Sequence, residues 1–227
     1  MTTYCILTQN SPLSIFTILI GTATDEFWYT NIPDSIYNQI ANASSQGYYP
    51  RGPFREIQLL IDDQLAGVAL PFPVIFTGGI NPLLHRPESS FGAYNQPNYY
   101  IDITPFVGTL TDEKAHSFKL QVSSAEKNHT IDASWFISGN VQVILDSSNE
   151  RTTGEIIAHI GPDYGSFSTI GTSDKFAVKT KKPRTLRIEG TVKTGSSKRA
   201  KKVVWEQSHE YSNSQAISET GQVSVCD

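Results

Sequence analysis

Residues 54–70 read FREIQLLIDDQLAGVAL, and their spacing leaves little choice of structure. Ile57, Leu59 and Ile61 recur at every second position, the period of a strand with one face turned to a core and not that of a helix. Asp62-Asp63-Gln64 interrupts the run, and a second apolar stretch, Leu65 to Leu70, follows at once, so the segment predicts an antiparallel hairpin. The same period returns in NYYIDIT (98–104), HSFKLQVS (116–123) and WFISGNVQVILD (135–146). Pro71 and Pro73 confine their stretch to an edge or to the first position of a strand. Only SIYNQIANA, 35–43, offers helical spacing. The chain is therefore expected to be all-β.

After Asp146 the texture changes. SSNERTTG reads as a boundary, EIIAHI as a short strand, and a polar Gly/Ser-rich stretch runs on to Ser173. Beyond it RTLRIEGTVK and KKVVWEQSHEYSNSQ form two long amphipathic runs joined at KTGSS, a hairpin signal. The expected architecture is a jelly-roll-type β-sandwich over 1–148, its first 24 residues atypical, with an additional C-terminal β segment, 149–227, packed on it. At 227 residues the chain is long enough to bury a sizeable core.

Charge narrows the partners. The formal net charge is −4, yet the lysines and arginines crowd into KTKKPRTLR (179–187) and SSKRAKK (196–202). Two clusters on strand faces and a hairpin tip, in a chain that is acidic overall, read as solvated surface and not as a nucleic-acid interface. No stretch has the roughly twenty apolar residues of a membrane-spanning helix. The run Leu13 to Ile20 suits a buried strand, and with no Lys or Arg in residues 1–24 it makes a poor signal peptide. Cys5 and Cys226 lie near opposite ends, and only geometry can decide whether they pair. Asn42-Ala-Ser and Asn128-His-Thr are acceptor tripeptides for N-glycosylation in a secretory compartment.

The chemistry open to such a chain is limited. Gly-x-Ser-x-Gly, phosphate-loop and dinucleotide-binding motifs are absent, and the five histidines show no metal-ligand spacing, so no metal site is expected. Carboxylates remain. Asp25 and Glu26 precede Phe27, Trp28 and Tyr29, and an acid desolvated beside an indole becomes a usable acid or base. The same residues could equally be a strand end whose acids accept loop amides. FTGGINPLLHRP, 76–87, brings paired glycines, His85 and the planar donor fork of Arg86. A long loop whose arginine meets a nearby acid would look the same. Asp102, before a proline turn, reads as a structural cap.

DEFWYTNIPDS (25–35), the block 54–87, YIDITPFVGTLTDEKAHSFKLQV (100–122), WFISGNVQVILD and the tail KKVVWEQSHEYSNSQ together resemble the peptide-N-glycanase A family of plant and fungal asparagine amidases. The resemblance implies an enzyme that hydrolyses the amide between the innermost N-acetylglucosamine and asparagine of an N-linked glycopeptide or glycoprotein, with neither metal nor cofactor. It implies Glu26, with Asp25, as the catalytic carboxylate, and Arg86, His85, Trp28 and Tyr29 against the glycan, His85 standing where the family usually has tryptophan. It also implies a secreted or vacuolar protein. Complete members are longer and carry an earlier jelly-roll domain with a further acid. This chain is thus expected to be a partial form of low activity alone, the alternatives being a non-catalytic N-glycan-binding module or an inactive fragment.

Overall fold

The computed structural model describes residues 2–5, 11–73, 98–161, 176–197, 199–218 and 221–226. Among them the chain is built from strands: β1 (Thr2–Cys5), β2 (Ser11–Gly21), β3 (Glu56–Ile61), β4 (Gln64–Ala69), β5 (Tyr99–Asp102), β6 (His116–Ser123), β7 (Trp135–Ile144), β8 (Thr153–Ile160), β9 (Phe176–Lys193), β10 (Lys201–Ser218) and β11 (Gly221–Cys226). They form three antiparallel sheets, ordered β1-β6-β3-β4, β5-β2-β7 and β11-β10-β9-β8. The expected all-β class is what the chain adopts. The 54–70 hairpin forms as β3 and β4, with Asp62 and Asp63 both at positive φ, as a tight hairpin turn requires. The Leu13–Ile20 run lies in β2, the middle strand of its sheet.

The first two sheets meet through Ile57 and Ala69 of one and Trp135 and Ile137 of the other, with Tyr99, Leu120 and Val122 around them. A larger cluster joins Leu59, Ile61 and Ala66 to Ile101, Phe106, Val107, Leu110 and, from β9, Leu186, Ile188 and Val192. The C-terminal strands thus share a core with the N-terminal ones. Phe106 and its neighbours sit on a 3-10 turn (104–106) and the single-turn helix α2 (Val107–Leu110). Asp102 caps that turn, its Oδ1 accepting the Thr104 N–H at 2.8 Å.

Two features depart from the pattern in the sequence. SIYNQIANA gives only one helical turn, α1 (Asp34–Tyr37), and Asn42 already has φ 53°. Among the residues that follow β9's charged start, Lys182 and Arg184 are buried while Lys179 and Lys181 are exposed, so one face of the basic cluster turns inward. Glu56 and Gln58, on the face of β3 opposite Ile57, receive it. Arg184 Nε donates to Glu56 at 3.1 Å, and Gln58 Nε2 donates to the same carboxylate at 2.8 Å. Burial lowers the Lys182 and His209 pKa values; the charge of Glu56 opposes this and that of Arg184 adds to it. Pro183 falls where β9 has no pairing with β8, which meets it only from Arg187 onward.

β4 is an edge of its sheet, and an unpaired edge invites aggregation. Gln207 of β10 closes it locally. Its Oε1 accepts the Val68 N–H at 2.9 Å and its Nε2 donates to the Val68 carbonyl at 2.8 Å.

Candidate active site

β2 ends at Gly21, where any β-carbon would lie 2.3 Å from the Asp25 carbonyl oxygen; only glycine lets the chain fold back so tightly. Thr22 then pins the turn to Ser134, through its N–H at 3.1 Å and its hydroxyl at 2.7 Å. Two 3-10 turns follow, 23–25 and 28–30, and they divide the side chains of DEFWYTN between interior and surface.

Asp25 goes inward. It is fully buried, as is Arg55, whose Nη2 donates to Oδ1 at 2.5 Å and whose Nε reaches Oδ2 at 3.4 Å. Trp135 Nε1 donates to Oδ2 at 2.9 Å, and Asn31 Nδ2 to Oδ1 at 3.3 Å. The remaining donor of the guanidinium, Nη1, serves the carbonyls of Arg51, Gly52 and Phe54 at 2.9, 2.9 and 2.7 Å. A buried pair with this many partners holds its geometry, because removing one charge strands the other. Asp25 is therefore committed to organising the loop.

Glu26 is different. It is half-buried, and among the described residues its carboxylate takes no hydrogen bond or ion pair. Of the two adjacent acids, it is the one without a partner among the described residues.

Trp28 and Tyr29, expected against the glycan, are 4% and 7% exposed. Trp28 packs edge-on to Tyr29, with centroids 5.7 Å apart, and tilted against Tyr211 at 6.3 Å; Phe54 completes the cluster. Alternate residues of β10 hold this segment from beneath. The Tyr211 hydroxyl donates to the Pro53 carbonyl, Asn213 Nδ2 to the Tyr29 carbonyl at 3.1 Å, and Gln215 Nε2 to the Asn31 carbonyl at 2.9 Å. Trp28 thus acts as the core ring that makes the turn rigid. Tyr29 keeps an edge on a neighbouring pocket of about 270 Å³, lined by Phe27, Thr30, Asn31 and Tyr49 among others.

A second carboxylate was not singled out in the sequence. Glu126 has its pKa raised to about 6, by burial first and then by the charge of Asp34, against the pull of Arg51 and Arg55. Its Oε1 has no hydrogen-bond partner. Asp34 is paired with Arg51 at 2.8 Å, so the turn and the loop behind it carry a continuous set of charges.

Asn42 and Asn128 are both exposed, at φ 53° and 62°, on turns that present their side chains to solvent. Arg86 and His85 lie in 74–97, outside the described residues. Among the described residues no group of three or more His, Cys, Asp or Glu side chains is placed to hold a metal, and no helix is long and apolar enough to cross a membrane.

The family described as Peptide N-acetyl-beta-D-glucosaminyl asparaginase amidase A matches residues 2–160, and the PNGase_A C-terminal domain matches residues 177–227. The first match begins within β1 and so takes in the opening strands, which the motifs quoted from the sequence did not reach. Over 152 residues the chain is 37% identical to the Peptide-N4-(N-acetyl-beta-glucosaminyl)asparagine amidase A of Prunus dulcis, an alignment covering 66% of this chain and 25% of that protein. The chain thus spans about a quarter of the length of that relative. No solved structure matches it.

Proposed function

The chain belongs to the peptide N-acetyl-beta-D-glucosaminyl asparaginase amidase A family, and from that premise we propose that it takes part in hydrolysing the N-acetylglucosamine–asparagine amide bond of N-linked glycopeptides. The observation that carries the proposal is the contrast between neighbouring acids: Asp25 is consumed by Arg55, Trp135 and Asn31, while Glu26 stands beside it on the same rigid turn without a partner among the described residues. In the reaction, water adds to the side-chain carbonyl carbon of the substrate asparagine. Glu26 accepts the proton that water loses and returns it to the departing nitrogen as the C–N bond breaks. The products are an aspartate side chain and the glycosylamine of the released glycan. Asp25 positions Glu26 by fixing the turn and has no part in proton transfer. Arg86 and His85 belong to the glycan-binding surface in this reading, and a preceding domain supplies a second acid.

The test is hydrolysis of a defined N-glycopeptide followed by mass spectrometry, in a preparation that supplies the preceding domain and turns over with the wild-type chain, with Glu26→Gln beside it. Loss of turnover by at least two orders of magnitude with an unchanged thermal midpoint is expected, in line with removal of a general acid–base group. Equal rates for the two proteins would sink the assignment of Glu26.

We also propose a secretory or vacuolar location, with glycans on Asn42 and Asn128. The family and the exposure of both asparagines on turns support it. Expression through a secretory pathway should give a chain whose mass falls on endoglycosidase treatment, and the shift should vanish in Asn42→Gln/Asn128→Gln. A secreted chain of unmodified mass would contradict it.

A further inference from the structure

Most edges of the three sheets are guarded. β1, β5 and β11 are only four, four and six residues long, and Gln207 clasps β4. β8 carries Glu155 and a bulge between Ile156 and Ala158. Short length, charge and bulges are the usual protections of an edge against further pairing. β7 has none of them. It is an outer strand of the sheet β5-β2-β7 and pairs only with β2 among the described residues. Its ten residues, WFISGNVQVI, include neither a charge nor a proline. The β2–β7 register is unbroken from Gly21–Trp135 to Leu13–Val143.

The large side chains that β7 exposes are apolar. Phe136 is 72% exposed, Ile144 51%, and Leu145, just past the strand, 70%. The odd-numbered Trp135, Ile137 and Val143 pack toward the core, so the even-numbered residues share the outer face. Ile20 of β2, paired with Phe136 and itself half-exposed, extends that apolar face across the sheet. A contiguous exposed patch of this kind on a sheet edge marks an association surface.

We propose that β7 pairs antiparallel with β7 of a second copy of this chain, about a twofold axis at Asn140, so that two three-stranded sheets become one of six strands. The inference does not depend on the amidase reading. A twofold axis normal to the sheet keeps the two outer faces on one side, so even-numbered residues face even ones and odd face odd. With Asn140 facing itself, Phe136 meets the partner's Ile144, and Trp135 meets the partner's Leu145. Val141 meets the partner's Gly139, which leaves room for it. Every large exposed apolar side chain of the strand is thereby covered in a single register. Trp135 is the ring that holds Asp25 Oδ2, so the seam runs beside the anchor of the candidate site. Charge favours the same register. Residues 134–145 carry none, and Asp146, already accepting from Ser196, falls opposite the partner's Ser134 and not opposite another acid. A ten-residue seam is ~34 Å long. With side chains on both faces it removes on the order of 1,000 Å² in total, the lower end for a specific interface, which suits a reversible dimer.

The experiment is sedimentation velocity on the full chain from about 1 to about 200 µM, with the exposed Asn140 replaced by Lys or Asp. The wild-type mass should rise from 25.1 kDa toward twice that value as concentration increases. Asn140→Lys and Asn140→Asp should each dimerise at least tenfold more weakly with unchanged thermal midpoints, because like charges then face one another across the seam. An equimolar mixture of the two variants should regain the dimer, a recovery that a folding defect cannot produce. Ser138→Lys/Gln142→Lys, on the same exposed face, should also lose it. A wild-type chain that stays monomeric throughout would overturn the proposal and leave the edge to another occupant or to none. A dimer indifferent to the charges at 140, or no recovery on mixing, would overturn it equally, by placing the contact on another surface or in another register.

Discussion

Asp25 and Glu26 are neighbours in sequence with opposite fates, and the difference lies in what the rest of the chain brings to each. The partners of Asp25 come from 30 and 110 residues away, Arg55 and Trp135. Nothing local in DEFWYTN announces them, so the sequence alone could identify an acid against aromatics but not which acid was already spent. Asn31, six residues on, was the one partner within reach of inspection. The burial of Trp28 is hidden in the sequence for the same reason: its covering rings, Phe54 and Tyr211, lie in distant segments. Asp25→Asn should therefore destabilise the chain by about 3–5 kcal/mol, because it leaves the Arg55 guanidinium buried without its counter-charge. Urea denaturation would measure this, and a loss below about 1 kcal/mol would mean that the pair is not the anchor of the turn.

At the scale of elements, the alternation of apolar residues was a dependable guide to where strands lie, as in β3, β7 and β10. It failed where local spacing competed with tertiary contacts. Ile36 and Ile40 are spaced for a helix, yet a helix this short gains little on its own, and the segment turns away after one turn to pack Ile36 with Ile32 and Val178. The ties between elements were less legible than the elements. His116, at the start of β6, bridges the β3–β4 turn to the turn before its own strand, with Nδ1 2.7 Å from Asp62 and Nε2 2.9 Å from Asp112. Burial alone would lower its pKa, but the hydrogen bonds and charges of the two aspartates outweigh that and raise it. Asp62 is correspondingly lowered, and Asp112 falls to about 2, chiefly through Lys114. Stability from the raised histidine is fully present below its ordinary pKa of 6.5 and is lost as pH rises through the folded value. Stability from the lowered aspartates is lost only in acid. His116→Gln should therefore differ most from wild type near pH 5 and progressively less above pH 7, read from thermal midpoints. A difference that does not vary with pH would show that the bridge carries no charge.

For the molecule as a whole, the C-terminal strands are integral to the core. Leu186 and Ile188 lie in the same apolar cluster as Leu59 and Ile61, while Glu56–Arg184 and the Gln207–Val68 clasp join the sheets beside it. The change of texture after Asp146 was visible in the sequence, but the inward face of the basic cluster was not, since charged residues are so often solvent-facing. Leu186→Ala should cost about 2–5 kcal/mol, and calorimetry should show a single transition that moves as one; two separable transitions would mean that the strands before and after residue 148 fold independently. The central claim concerns Glu26, and the most direct test is hydrolysis of a defined N-glycopeptide in ¹⁸O-water by a preparation containing this chain. The account predicts one ¹⁸O in the new aspartate, none in the glycosylamine, and loss of the reaction in Glu26→Gln. Label entering only the sugar while the asparagine stays unconverted, or undiminished aspartate labelling in the variant, would contradict it.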